Sequence, residues 1–175
     1  MYPKAYIDYL VHFHGDRDYF ECHEILEEYW KDTEPEKRQQ VWVALIQIAV
    51  AMYHHRRENW NGAERMLQKA ISLVKKEQHS IKQLGLDNHE LPLLLIKRLE
   101  EIKQRMPYKS INLPIQDQSL LEECKLVCKK QGLGWGNTSN LSDLFLLHKH
   151  KLRDRSEVIE ARRKQMMLKA QKRKG

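Results

Sequence analysis

The chain has 175 residues, 41% of them hydrophobic and 31% charged, enough for one packed domain and an appendage. No apolar run approaches the roughly 20 residues that a membrane-spanning helix needs, and Met1-Tyr2-Pro3-Lys4 lacks the charged-then-apolar layout of a signal peptide. The net charge of +7 is unevenly spread: from Lys149 onward eleven Lys and Arg face three acids, a local +8, and the remainder of the chain sits at −1.

Taken in order, the periodicity predicts helices throughout. Residues 3 to 14 carry Tyr6, Tyr9, Leu10 and Phe13 at helical spacing and stop at Gly15-Asp16. A second helix runs from about Asp18, in the N-cap position, to about Lys31. Thr33-Glu34-Pro35 marks a turn and a new helix start, and Val41 to Tyr53 is apolar nearly all round, as a central buried helix is. Glu58 to Gly62 breaks that helix, another spans about Ala63 to Gln78, and Leu84 to Asp87 turns into a further helix from Glu90 to Arg105. After Pro107 an extended connection with Ile111, Leu113 and Ile115 as anchors is expected across the bundle. It is followed by a short helix from Gln118 to Lys130, a flexible loop from Gln131 to Asn137, and a long basic helix from about Leu141 to Gln171. The predicted organisation is a bundle domain over 1–115 and a helical extension over 116–175.

The chain also carries an internal echo. Asp18-Tyr19 and Asn59-Trp60 lie 41 positions apart, and at that offset Cys22 matches Ala63, Ile25 matches Met66 and Leu26 matches Leu67. Asn59 to Leu73 resembles half of a tetratricopeptide repeat, but the offset exceeds the roughly 34 residues of that repeat and only two copies occur. The expected fold is therefore all-α: about five antiparallel helices built from helix hairpins, tetratricopeptide-like in part, plus a long basic C-terminal helix.

On the second helix, Tyr19, Cys22, Leu26 and Trp30 form an apolar stripe that places His23 at its centre and Glu27 at its margin. Ionisable groups on an inward face need partners, which predicts a polar network in the core. The central helix offers Gln47, His54 and Arg57 on one side, so His23 and Glu27 are expected to meet Gln47 and His54. Such a set would serve as a structural network, an acid–base pair or a metal site. It lacks the Glu-x-x-His repeats of di-iron bundles and the His-Glu-x-x-His spacing of zinc proteases. No phosphate-binding glycine loop or nucleophile elbow is present, no cofactor is implied, and the identity of any metal is left unknown. Three cysteines, Cys22, Cys124 and Cys128, make no disulfide framework and favour a reducing cytoplasm, with Cys124 and Cys128 stacked on one helix face. In the tail, Lys149, Lys151, Arg153, Arg155, Arg162 and Arg163 are the candidate contacts to a nucleic acid or an acidic protein. A solvated helix with i,i+4 pairs is the plainer reading.

The run from Phe13 to Trp30, Phe-His-Gly-Asp-Arg-Asp-Tyr-Phe-Glu-Cys-His-Glu-Ile-Leu-Glu-Glu-Tyr-Trp, resembles the signature of a prokaryotic family known only as domain of unknown function 309. A second block, Leu45-Ile46-Gln47, Ala49, His54, Asn59 and Gly62-Ala63, is similar to that family as well. A glycine commonly precedes the asparagine there, and Glu58 stands in its place. The likeness spans about residues 5 to 115 and implies an all-α bundle with no established activity. It singles out His23, Glu24, Glu27, Trp30, Gln47 and His54. The segment beyond Trp135 resembles an extension found in part of the family.

These readings converge on a cytoplasmic, non-catalytic interaction module that binds a protein or nucleic acid partner, with no membrane association and with homo-oligomerisation left open. The alternative is a metal- or small-ligand-dependent enzyme centred on the His/Glu/Gln cluster.

Overall fold

A computed structural model describes residues 1–149, 163–164 and 166–170. All regular structure among them is helical: α1 Lys4–His14, α2 Tyr19–Asp32, α3 Gln40–Arg56, α4 Trp60–Lys76, α5 Gln78–Gln83, α6 Glu90–Lys103, α7 Gln118–Lys130 and α8 Leu144–Leu147, with a 3-10 turn at Pro35–Lys37. One isolated β-bridge joins Leu86 to Ile115. The helices pack in sequence, α1 on α2, α2 on α3, α3 on α4 and α4 on α6, while α7 closes back onto α1. As its composition implies, α3 is central. Val41, Ala44, Leu45, Ile48, Ala49, Ala51 and Met52 are buried on one broad face, and Val43, Ile46, Gln47, Val50 and His54 on the opposite side are half-buried.

The two hairpin junctions share one design. Arg17 and Glu58 both adopt left-handed backbone (φ 57° and 62°), and the next residue caps the following helix. Asp18 accepts from the Glu21 N–H and Asn59 from the Gly62 N–H. Beyond the caps, Cys22 and Ala63, and Leu26 and Leu67, are all fully buried at matching positions. The echo in the sequence is thus a repeated turn chemistry: a left-handed residue reverses the chain and an Asp or Asn supplies the missing acceptor.

Two histidines at the same offset then anchor the chain that follows α6. His14, 1% exposed, donates from Nδ1 to the Leu10 carbonyl (2.8 Å), and its Nε2 accepts from the Leu113 N–H (3.0 Å). His55 donates from Nε2 to the Met106 carbonyl (2.9 Å). Residues 106–113 therefore cross the bundle as expected, with Ile111 and Leu113 buried. Gly85 (φ 77°) turns the chain where a side chain would strike the Tyr2 hydroxyl, and its carbonyl accepts from the Gln116 and Asp117 N–H groups.

Several expectations need correction. α4 begins at Trp60, three residues early, and a separate helix, α5, follows it. The loop after α7 is pinned rather than free: Trp135 stacks on His14 (4.4 Å, 21°) and the Gly136 N–H donates to the His14 carbonyl. The C-terminal helix starts at Leu144, capped by Asp143, and its first segment stops at Leu147, because His148 leaves helical geometry. Residues 150–162 of the expected helix lie outside the described residues.

The buried environment pushes the His14 imidazole down to about 3, chiefly through desolvation. A folded value below the unfolded 6.5 means that the unfolded chain takes up a proton first. The stability contribution is complete above pH 6.5 and is lost progressively as pH falls toward 3, by about 1.4 kcal/mol per pH unit. Denaturant titrations between pH 7 and 4 should show a slope smaller by about one proton in His14→Gln; equal slopes would sink this assignment. Glu58→Gly should stabilise by about 0.5–1 kcal/mol, because glycine adopts the left-handed conformation without a Cβ penalty. A lowered melting temperature for this variant would contradict it.

Candidate functional site

α2 exposes a line of acids, and three of its side chains converge. His23 Nε2 lies 2.7 Å from Glu27 Oε2 and His23 Nδ1 lies 3.3 Å from Glu24 Oε1, so the three offer ligand atoms within 4.8 Å of one another. Lys31 adds a 2.9 Å contact to Glu27. The helical i,i+4 spacing brings His23, Glu27 and Lys31 onto one ridge. The group is not the core network expected: the His23 side chain is 28% exposed and that of Glu27 35% exposed. Cys22 and Leu26 occupy the inward line fully, and His23, one residue round from Cys22, falls at the edge where α2 meets α3. Glu24, which the family likeness singles out, joins through His23 Nδ1.

The α3 members of the predicted cluster take different positions. His54 shares an apolar cavity of about 190 Å³ with His23, lined also by Tyr19, Phe20, Val50 and Tyr53. Its Nδ1 accepts from Asn59 Nδ2 (3.1 Å). Burial, with Arg57 and Arg65 nearby, holds the His54 imidazole below its ordinary range. Gln47 keeps its Oε1 enclosed without a hydrogen-bond partner. Arg57 turns away, with its guanidinium over the Tyr53 ring (5.3 Å) and Nε donating to His148 Nδ1 (3.2 Å). Next to the apolar cavity, a second depression of about 290 Å³ is lined by Glu24, Glu27, Glu28, Lys31 and Asp32.

Of the predicted tail contacts, Lys149 bonds to Asp18 Oδ2 (2.6 Å) and to Glu21 Oε2 (3.5 Å), at the N-terminal end of α2. Those carboxylates raise its ammonium pKa above the usual lysine range, against an opposing effect of burial. Arg163 is exposed. Lys151, Arg153, Arg155 and Arg162 lie outside the described residues.

The residues that sequence reading passed over are two buried arginines. Arg17 is 1% exposed and donates to four acceptors: Phe13 O (3.1 Å), Ile111 O (2.5 Å), Asn112 Oδ1 (2.7 Å) and Asn137 O (2.7 Å). Arg56, 6% exposed, lies over the Tyr19 ring (4.6 Å), and its Nη1 donates to the Arg17 carbonyl (2.7 Å) and to Ser139 Oγ (3.2 Å). The only hint in sequence was the position of Arg17 between two acids in a turn, which reads as surface charge. The three cysteines are buried and unpaired. Burial pushes the Cys124 thiol up to about 12, and those of Cys22 and Cys128 upward as well.

Comparison with known proteins follows the same residues. The profile of the family described as Domain of unknown function (DUF309) matches residues 6–66, from α1 into α4. Over 166 residues, 95% of each chain, the sequence is 52% identical to "Uncharacterized protein YpuF" of Bacillus subtilis (strain 168). No solved structure matches.

With its contacts confined to the half-exposed α2 ridge, His23→Ala should cost no more than about 1 kcal/mol of stability. A loss of several kcal/mol on urea unfolding would place the residue back in a core network.

Proposed function

The chain belongs to the family described as Domain of unknown function, DUF309, and from that premise we propose that it is a non-catalytic helical interaction module for a basic protein segment. The binding surface runs along the acidic ridge of α2 and the apolar cavity between α2 and α3. The observation that carries this reading is Lys149: its ammonium already sits between Asp18 and Glu21 at one end of that ridge. The chain itself thus supplies an example of a lysine accepted there. Further along, Glu24, Glu27, Glu28 and Asp32 outnumber Lys31, so opposite charge on the partner is favoured and phosphate backbones are repelled.

The neighbouring cavity supplies the apolar half of the recognition. At about 190 Å³, between Phe20, Val50 and Tyr53, it suits one large apolar side chain, the size of an anchor that dominates many interfaces. An amphipathic basic helix that presents one Leu or Phe with flanking Lys or Arg fits both features. In this proposal residues 1–115 form the binding unit, and the basic residues from Lys149 onward compete for the same acids. The three unpaired cysteines support a cytoplasmic setting.

Titration of the full chain with a fluorescein-labelled amphipathic helical peptide of leucine and lysine tests this. Binding should weaken roughly tenfold in Glu24→Lys/Glu28→Lys and again in Val50→Asp, and should fall with added salt. Equal binding by all variants, or binding of a single-stranded RNA oligonucleotide in preference to the peptide, would overturn the reading.

A further inference from the structure

Arg56 is held at only one of its three nitrogens. Nη1 makes both hydrogen bonds described above, whereas Nε and Nη2, both enclosed, have no hydrogen-bond partner among the described residues. Among the described residues neither Arg56 nor Arg17 has a carboxylate within ion-pair distance. Arg98, the third arginine nearby, has Glu101 at 3.3 Å. Two buried positive charges therefore lie together without a counter-ion, an arrangement that costs free energy unless an anion completes it.

One hydroxyl outward from Arg56, through Ser139, is a surface cavity of about 360 Å³ lined by Tyr108, Lys109, Ser110, Thr138, Ser139 and Leu141. That volume lies within the roughly 300–1,000 Å³ of small-molecule sites. The lining holds four hydroxyls and an ammonium and no carboxylate. The hydroxyls of Tyr108, Ser110 and Ser139 already form one chain that leads inward to Arg56. Tyr108 Oη is bonded to Ser139 Oγ (2.7 Å) and to the Tyr19 hydroxyl, Ser110 Oγ accepts from the Ser139 N–H (2.9 Å), and Ser139 Oγ accepts from Arg56 Nη1. Hydroxyl groups rotate, so each can turn a proton outward toward an acceptor. The guanidinium lies behind this layer, with Nε and Nη2 enclosed, so it acts on the cavity through its uncompensated positive charge and through the Ser139 hydroxyl that it orients.

We propose that this cavity is a binding site for a phosphate group, free or esterified, with Lys109 as the outer cation, the hydroxyls of Ser110, Thr138, Ser139 and Tyr108 as donors around the phosphoryl oxygens, and Arg56 as the buried positive charge behind Ser139. The neighbouring depression of about 440 Å³ provides the contrast: Asp16, Asp18 and Asp143 line it and exclude an anion. Recognition is therefore confined to the Tyr108–Ser139 side.

Calorimetric titration of the full chain with inorganic phosphate and with a nucleoside monophosphate, using inorganic sulfate as the control anion, decides the matter. Both phosphates should bind saturably and raise the melting temperature, with sulfate at least tenfold weaker. Arg56→Gln is expected to perturb folding, and so is loss of Ser139, so the informative variants are Lys109→Glu on the exposed rim and Thr138→Val, both at exposed lining positions. Each should leave ligand-free melting close to that of the parent and weaken phosphate binding roughly tenfold or more. Tighter binding of the monophosphate than of inorganic phosphate would identify an esterified ligand, and equal binding a free one; both outcomes uphold the site. Absence of saturable binding up to roughly 10 mM phosphate, equal affinity for sulfate, or indifference to both variants would overturn it.

Discussion

The guanidinium of Arg17 is the interaction on which the rest of this structure depends. It lies at the first hairpin turn, fully buried, and gathers acceptors from three separated stretches of chain. Ile111 and Asn112 come from the crossing segment, Asn137 from the loop after α7, and Phe13 from its own helix. Five N–H donors in a rigid plane make this feasible, whereas a lysine could reach only part of the set. Its carbonyl in turn receives Arg56, so the turn of one hairpin is tied to the end of the central helix of the next. With no carboxylate at ion-pair distance among the described residues, this charge is solvated by peptide and amide dipoles, which must therefore be held in place. That requirement explains why the segments at 106–113 and 134–139 are bonded so closely to the bundle.

Much of the fold was legible because it is periodic and local. The apolar run of α3, the inner stripe of α2 and the cap Asp18 are properties of neighbouring residues, and they appear in the structure where the spacing places them, whereas Asn59, read as part of a helix break, is itself a cap. The repeat of 41 positions was visible as matched residues; its cause, a left-handed residue followed by a side-chain cap, was not. It also accounts for Glu58, since the glycine that commonly stands there in the family suits a backbone angle that glutamate adopts only at a cost. α5 escaped notice because six residues are too few to show a period.

The candidate site was legible only in part, and for a physical reason. A helical wheel orders residues by angle but does not say how far the next helix wraps around them. His23 therefore moved from the centre of the stripe to its rim, and Glu24 moved into its company. Contacts made across great sequence distance were out of reach altogether. Arg17 meets partners 94, 95 and 120 positions away, and Arg56 meets Ser139 across 83. No local pattern distinguishes such arginines from solvated ones. Each hypothesis of function now rests on a different class of signal, the acidic ridge on local spacing and the hydroxyl-lined cavity on long-range packing.

The three thiols carry a consequence of another kind. Cys22 lies under the first hairpin, hydrogen-bonded to the Tyr9 carbonyl, whereas Cys124 and Cys128 lie beneath α7, where it meets α1. All three are enclosed and held in the protonated form, so an alkylating reagent can reach them only when the structure opens. Their labelling kinetics are therefore a built-in clock. Modification of the α7 pair measures how often that helix lifts from the bundle, and modification of Cys22 measures how often the first hairpin parts.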